Sequence, residues 1–245
     1  MRLFQDGWAR HRPGVNEKTE IALTAFALGV AATAAVIAMG SHLFGSASTW
    51  MYAFGAYLLA VVAVFHMAEF VVASEYRPHD ANPRSFMIFH SSAFLIANTA
   101  AWFEFLVCGW LLQLGYHPEP TTWSVTLFLL VTLGFYSVRV LAMVQCGSNF
   151  ALQVEYSKRT SHELVTHGVY RHLRHPSYFG WFWYAVASQC IAHNPVCLVL
   201  FASAAWYFFK ERVRDEEDIL AHPSFFGEKY DEYRKTTIVG IPFIG

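Results

Sequence analysis

Apolar residues occur along this chain in long blocks that short polar stretches separate. Between Ile21 and Ala68 there is no Asp, Glu, Lys or Arg, and the polar stretch GSHLFGSAST divides this block in two. Because a helix of roughly 20 apolar residues crosses a bilayer, each half is long enough for one membrane span. Extended to the whole chain, the pattern predicts six spans, near residues 21–41, 50–73, 86–115, 122–144, 178–193 and 196–209.

The last two apolar runs predict a helical hairpin. No Asp, Glu, Lys or Arg lies between His175 and Phe209, and Asn194-Pro195 is a dipeptide at which a chain readily reverses direction. Both runs are short for full spans, so the prediction leaves open whether they cross the membrane, tilt within it or enter it only partway.

Basic residues provide an internal test of this topology, because cytoplasmic loops of membrane proteins are enriched in Lys and Arg. Of the 17, four precede the first span, two lie in residues 74–84, four in residues 146–174, and six follow Phe209. The remaining one, Arg139, lies inside a span, and the three alternate connections contain none. Six spans with both termini in the cytoplasm fit this distribution, whereas an odd number does not.

Composition supports a membrane protein and excludes other classes. Of the 245 residues, 55% are hydrophobic and 14% charged, which is too apolar for an ordinary soluble domain. The net charge is near zero and there is no dense basic tract, so nucleic acid is not an expected partner. The four cysteines form no CxxC pair and are expected in the core, and the N-terminus lacks the pattern of a removable signal peptide. These features predict an all-α, multi-pass integral membrane protein.

The stretch RHLRHPSY, which ends at Tyr178, places basic residues directly before the predicted span at 178–193. Pro176 suits a first helical turn, and a helix start exposes N–H groups and the positive end of the helix dipole, which favour a bound carboxylate or phosphate. The alternative is that Arg174 and its neighbours are ordinary anchors at the membrane interface. His172 and His175 have a spacing that can serve a metal, but without a thiolate or clear third ligand we expect no metal site.

The last apolar run continues into the charged sequence KERVRDEED at residues 210–218, which predicts that the final helix extends beyond the membrane. Arg212 and Glu216 are four residues apart and share a helical face, where a surface ion pair is the plain structural interpretation. Their order, Arg before Glu, is the less favourable one for such a pair. Glu216 and Glu217 lie about 100° apart around the helix, so one can face a site while the other faces water.

Polar residues in two further places are candidates for function. Residues 162–170, HELVTHGVY, supply hydrogen-bond donors and aromatic rings that suit a small polar ligand, although a packed loop explains them nearly as well. In the apolar half, Glu69, Glu104 and Arg139 carry charges that are costly in lipid. We expect at least one of the three to pair with a neighbouring helix.

The last two-fifths of the chain resemble the isoprenylcysteine carboxyl methyltransferases. The resemblance rests on GSNF, HELVTHGVY, RHPSYFGWF, ERVRDEE, FFGEKYDEY and GIPF, while the membrane half is less similar and matches best at AWFEF around Glu104. RHPSYxG followed by paired glutamates is shared with a wider group of membrane methyltransferases and, more loosely, with sterol reductases. LVTxGVY and FFGExYxEY are more specific.

The resemblance implies methyl transfer from S-adenosylmethionine to the C-terminal carboxylate of a prenylated cysteine, in the endoplasmic reticulum membrane. The substrates would be prenylated CaaX proteins such as small GTPases. Residues 1–145 would form the membrane helices and residues 146–245 a cofactor-binding and catalytic region that includes the terminal hairpin. Arg212 would bind the substrate carboxylate, and Arg174, Arg212 and Glu216 would be the catalytic residues. The implied cofactor contacts are Glu155, where the family usually has glutamine, and His162, Glu163, Leu164, Val165, Tyr170, His175, Pro176, Ser177, Tyr178 and Glu216.

Other functions remain open at this point. A methyltransferase for phospholipids or other small molecules is the main alternative, and FFGEKYDEY and LVTHGVY count against it. A sterol reductase generally has more spans than this chain can supply, and a transporter or receptor would leave the polar motifs of residues 146–245 unused.

Overall fold

The computed structural model describes residues 16–78, 81–150, 156, 158 and 162–245. Within these ranges the regular structure is helical, apart from one parallel bridge between Leu173 and Ile238. Helices of a length and apolarity that allow membrane crossing are Glu17–Leu43, Thr49–Tyr76, Ser92–Gln113 and Thr122–Asn149. An all-α membrane architecture is therefore confirmed, while the count of six spans stays a prediction.

The α-helices of the described residues are α1 (Glu17–Leu43), α2 (Thr49–Tyr57), α3 (Phe65–Tyr76), α4 (Ser92–Gln113), α5 (Thr122–Cys146), α6 (Pro176–Ile191), α7 (Pro195–Leu220) and α8 (Glu228–Thr236). A π-helical segment, Leu58–Val64, joins α2 to α3 as one continuous helix. Short 3-10 turns occupy Pro83–Phe86, Gly147–Asn149 and Gly168–Arg171.

Local sequence signals set most helix boundaries. Side chains of Asn16, Ser48 and Ser91 accept hydrogen bonds from first-turn N–H groups of α1, α2 and α4, which satisfies donors that have no partner within the helix. The span predicted at 86–115 begins later, at Ser92, because Met87 adopts a left-handed conformation and Ser91 caps the helix. The predicted break at Asn194-Pro195 and the extension of the last helix through residue 218 are confirmed.

One packing unit comprises Met1–Leu133 and Val186–Phe201. Its core contains both aromatic and small side chains. A Cβ on Gly109 would lie only 2.5 Å from Trp50 Nε1, and Trp50 stacks on Phe105 with ring centroids 4.5 Å apart. Glu104 of α4 accepts hydrogen bonds from the backbone N–H groups of Val196 (2.7 Å) and Cys197 (2.6 Å) in the first turn of α7. The expected pairing of an intramembrane charge with another helix is confirmed at Glu104. The buried hydrophobic cluster consists of Tyr52, Ala53, Ala56, Tyr57, Ala60, Val61, Phe105, Val125, Leu129, Ile191 and Ala192.

The other unit comprises Gly134–Ala185 and Ala202–Gly245, so α5, α6 and α7 each contribute residues to both units. Here α6 packs closely on α5 at Gly180, where a Cβ would lie 2.7 Å from both Arg139 N and Phe135 O. The backbone N–H of Arg174 donates to Ile238 O at 3.1 Å, which ties the residues before α6 to the C-terminal segment. The functional division at residue 145 stays a prediction.

Candidate active site

A cavity in the second unit brings together most of the predicted site residues. The space between its atoms is about 860 Å³, part of it open to solvent. Clefts lined by apolar side chains and a few converging polar groups are typical places for small-molecule ligands. The predicted residues that line it are His162, Glu163, Leu164, Val165, Tyr170, Arg174, His175, Pro176, Ser177, Tyr178 and Glu216.

Arg212 is not among the lining residues but is connected to them through Tyr178. Its Nε donates to the hydroxyl of Tyr178 at 3.1 Å, and that hydroxyl in turn donates to Glu216 Oε2. Because Arg212 and Glu216 lie one turn apart on α7, the tyrosine from α6 joins their side chains. The predicted substrate-binding arginine and the predicted cofactor-binding glutamate therefore belong to one hydrogen-bonded group.

The expectation that one of the paired glutamates faces water is wrong. Glu217 is only 6% exposed, and its Oε1 lies 2.5 Å from Arg174 Nε and 3.1 Å from His175 Nε2. Its Oε2 lies 3.7 Å from a guanidinium nitrogen of Arg234 on α8. Burial raises the pKa of Glu217, but the hydrogen bonds and positive charges of His175 and Arg174 outweigh burial and lower it to about 2. Glu217 is the centre of a buried ion-pair cluster.

Arg174 links α7 to the C-terminal segment. Besides Glu217, its guanidinium donates to the carbonyl oxygen of Thr237 at 2.7 Å, and the residue is 7% exposed. A buried arginine needs such partners because an unpaired charge is costly away from water. Its contacts are those of a side chain that fixes the cavity wall, and its predicted catalytic role stays a prediction.

The start of α6 forms another wall of the cavity. The helix begins at Pro176, as predicted, and its first-turn residue Ser177 accepts a hydrogen bond from Arg139 of α5 at 2.8 Å. Arg139 is 5% exposed, so it is a second intramembrane charge that pairs with a neighbouring helix. The ring of His175 stacks on Tyr178 with centroids 5.3 Å apart and an interplanar angle of 6°. These contacts fix the end of the helix whose N–H groups favour an anion.

Several lining residues were missed by the sequence reasoning. His162 packs edge-on against Phe225 and Phe226, with centroids 5.2 and 5.5 Å away, so the turn after α7 forms an aromatic side of the cavity. The motif FFGEKYDEY is part of the family resemblance, but the contacts that the resemblance implies do not include its aromatic residues. Among the cysteines, Cys108 and Cys197 are buried as expected, whereas Cys146 and Cys190 are only partly buried and Cys146 lines the cavity. Glu155 lies outside the described residues. The missed lining residues are Cys146, Asn149, Phe150, Ile219, Leu220, Phe225, Phe226, Tyr230 and Tyr233.

Apolar helices long enough to cross a membrane, together with a cavity of polar and aromatic side chains, define a membrane-embedded protein with a candidate small-molecule site. The family model of the isoprenylcysteine carboxyl methyltransferase (ICMT) family matches residues 125–222. The human protein-S-isoprenylcysteine O-methyltransferase is 39% identical over 228 residues, which are 92% of this chain and 75% of that protein. Its counterpart from Tribolium castaneum is 36% identical over 225 residues, covering 89% and 77% of the two chains.

A solved structure of the eukaryotic intramembrane Ras methyltransferase ICMT has the same fold. It matches with a TM-score of 0.82 and 35% sequence identity, covering 92% of this chain and 77% of that one. This chain therefore belongs to the isoprenylcysteine carboxyl methyltransferase family, and the resemblance noted in the sequence is confirmed.

Proposed function

We propose that this protein is an enzyme that methylates the C-terminal carboxylate of a prenylated cysteine, with S-adenosylmethionine as the methyl donor. Family membership supports the reaction. The observation that carries the proposed site is the cavity in which residues 162–165 and 175–178 lie together with Tyr170 and Glu216. Glu216 on α7 is distant in sequence from the other residues, and the shared cavity would allow one ligand to contact all of them.

The lining of the cavity fits S-adenosylmethionine. Its apolar and aromatic side, with Leu164 and Phe225, suits a flat adenine ring. The Glu216 carboxylate would hold the ammonium group of the methionine end, and the start of α6 at Ser177 would hold its carboxylate. When bound, the cofactor supplies a methyl group activated by a sulfonium cation.

The residues of this chain orient the acceptor and exclude water. A carboxylate with a pKa of about 4 is already ionised at neutral pH, so no strong general base is required. Arg212 would bind that carboxylate, and its hydrogen bond to Tyr178 places it beside Glu216. Because opposite charges combine in this reaction, a site that holds the two reactants in line and keeps water out favours it.

The membrane follows from the proposed substrate. Each buried CH₂ of a prenyl chain favours the bilayer by about 0.8 kcal/mol, so a prenylated CaaX protein such as a small GTPase presents its C-terminus at the membrane. We place the enzyme in the endoplasmic reticulum membrane with six spans and both termini cytoplasmic, an arrangement that the distribution of Lys and Arg supports. Labelling of single cysteines introduced at Ser46 and Ser224 from either side of sealed vesicles tests it, since opposite accessibility is expected.

The decisive experiment follows transfer of a labelled methyl group to N-acetyl-farnesylcysteine by the purified protein. Product is measured as base-labile ester, and unprenylated N-acetylcysteine is the matched control. Ester that forms only with the prenylated acceptor is the expected result. Transfer to phospholipid instead would support the alternative acceptor class, and a folded protein that does not bind S-adenosylmethionine would contradict the proposal.

A further inference from the structure

Two amide side chains at the end of α5 bind the stretch that lines the cavity. Gln145 Oε1 accepts a hydrogen bond from Val169 N at 2.8 Å, and Asn149 Oδ1 accepts one from Glu163 N at 3.1 Å. The two acceptors are four residues apart in sequence, whereas their donors mark the two ends of residues 163–169. The amides therefore hold this stretch at both ends.

The backbone on each side permits these contacts. Gly147 follows α5 with φ of 56°, a left-handed conformation that glycine adopts without strain and that commonly ends a helix. Gly168 has φ of 60°, and a Cβ there would lie 2.2 Å from Gln145 Oε1. Only glycine at this position allows the amide oxygen to approach Val169 N.

A third hydrogen bond also joins this stretch to α5. The hydroxyl of Tyr170 donates to the backbone carbonyl of Ala142 at 3.2 Å, and Tyr170 lines the cavity. Ala142 and Gln145 are three residues apart on one face of α5, and Asn149 follows in the 3-10 turn after the helix. This face and the turn form the surface against which residues 163–170 are ordered.

From these contacts we propose that Gln145 and Asn149 form an amide clamp, a pair of positioning residues that hold residues 163–169 in the conformation that binds the cofactor. The inference rests on the proposed function, because it takes S-adenosylmethionine as the ligand. Removal of either acceptor frees one end of the stretch, and the cofactor must then order it on binding, which weakens affinity.

The test compares variants that remove an acceptor with one that keeps it. Binding of S-adenosylhomocysteine to the purified full-length protein is measured by calorimetry. Asn149→Leu and Gln145→Leu should each weaken binding about fivefold, as expected for one lost hydrogen bond. Asn149→Asp should stay within about twofold of the unsubstituted protein, because a carboxylate accepts at least as strongly. Asn98→Leu is the matched control, since the Asn98 amide donates to Phe94 O within its own helix.

Kinetics separate positioning from general structural damage. In the leucine variants the KM for S-adenosylmethionine should rise about fivefold. The kcat and the KM for N-acetyl-farnesylcysteine should stay unchanged. If Asn149→Leu does not fold, Gln145→Leu against Gln145→Glu provides the same comparison at the other end of the clamp.

The outcomes distinguish the two proposals. An unsubstituted, folded protein that does not bind S-adenosylhomocysteine would overturn the proposed function and the clamp with it. If that protein binds and the leucine variants bind equally well, the clamp alone is overturned. Equal weakening by Asn149→Leu and Asn149→Asp would also overturn it, because the acceptor would then be irrelevant.

Discussion

The two units use polar side chains differently. In the unit of Met1–Leu133 and Val186–Phe201, Glu104 binds two backbone N–H groups of α7, and Asn194 donates to the carbonyl of Ala101 at 2.9 Å. In the unit of Gly134–Ala185 and Ala202–Gly245, Glu217 and Arg174 form a buried ion pair beside a cavity. The first arrangement joins helices through backbone groups, whereas the second joins charged side chains around a candidate site.

This difference has an energetic basis. A carboxylate that caps a helix start gains from oriented N–H groups and the helix dipole, and it needs no countercharge. A buried ion pair must overcome the desolvation of both partners, so on stability grounds alone apolar residues would often serve as well. The charges around Glu217 also fix the cavity wall, because its partners Arg174 and His175 line the cavity. The comparison is therefore between polar groups that hold the fold and polar groups that also shape a site.

Removal of Glu217 should produce the largest effect. Glu217→Ala leaves Arg174 buried without its countercharge, and breaking a buried pair in this way typically costs about 3 to 5 kcal/mol. The free energy of unfolding of the purified protein in detergent, measured by denaturant titration, checks this. Asp215→Ala on the same helix is the control, because that side chain pairs with the exposed Arg214 at the surface. Equal stability of the two variants would contradict the conclusion that Glu217 stabilises this unit through buried ion pairs.

Removal of Arg212 or Glu216 should affect catalysis and leave the fold intact. Both side chains meet at the hydroxyl of Tyr178, so either alanine variant should lower kcat/KM at least about 100-fold, as loss of a charged group that orients the reactants does. The kcat/KM of each variant is measured from methyl transfer to N-acetyl-farnesylcysteine. Arg214→Ala is the matched control, since that arginine is exposed and bonds Glu211 and Asp215. Near-normal turnover in both site variants would contradict the proposed site.

The stability that the ion pairs of Glu217 provide should depend on pH in a defined direction. The pKa of Glu217 is lowered from 4.5 to about 2, so the unfolded chain takes up this proton at a higher pH than the folded protein. The stabilisation is therefore fully present above pH 4.5 and is lost as the pH falls towards 2. Unfolding free energies measured from pH 6 to pH 3 should decline below pH 4.5. Glu217→Gln should flatten that decline, and an unchanged slope would contradict the assignment.

The sequence predicts the helices and most of the cavity residues, but it does not predict the buried ion pairs of Glu217. Apolar runs and the proline at 176 are local signals, so the helices and the start of α6 follow from them. Helical spacing places Glu216 and Glu217 about 100° apart, but it cannot show that Arg174 covers the second. That burial depends on contacts from the two residues before α6 and from α8, which are distant in sequence or in another helix. Asn149 was part of the matching GSNF motif, yet its role emerges only when Glu163 N is seen within hydrogen-bonding distance.

The smallest expected effect is on stability, and it concerns Glu104 in the unit of Met1–Leu133 and Val186–Phe201. Glu104→Gln keeps one acceptor but turns an amide group towards Val196 N or Cys197 N, which leaves one N–H without an acceptor. The expected loss of stability is about 1 to 3 kcal/mol. Affinity of the folded protein for S-adenosylhomocysteine should be unchanged, because Glu104 belongs to the unit that does not contain the cavity residues. Thermal unfolding and calorimetric binding on the same sample measure both quantities. A large loss of affinity at normal stability would mean that Glu104 also shapes the site.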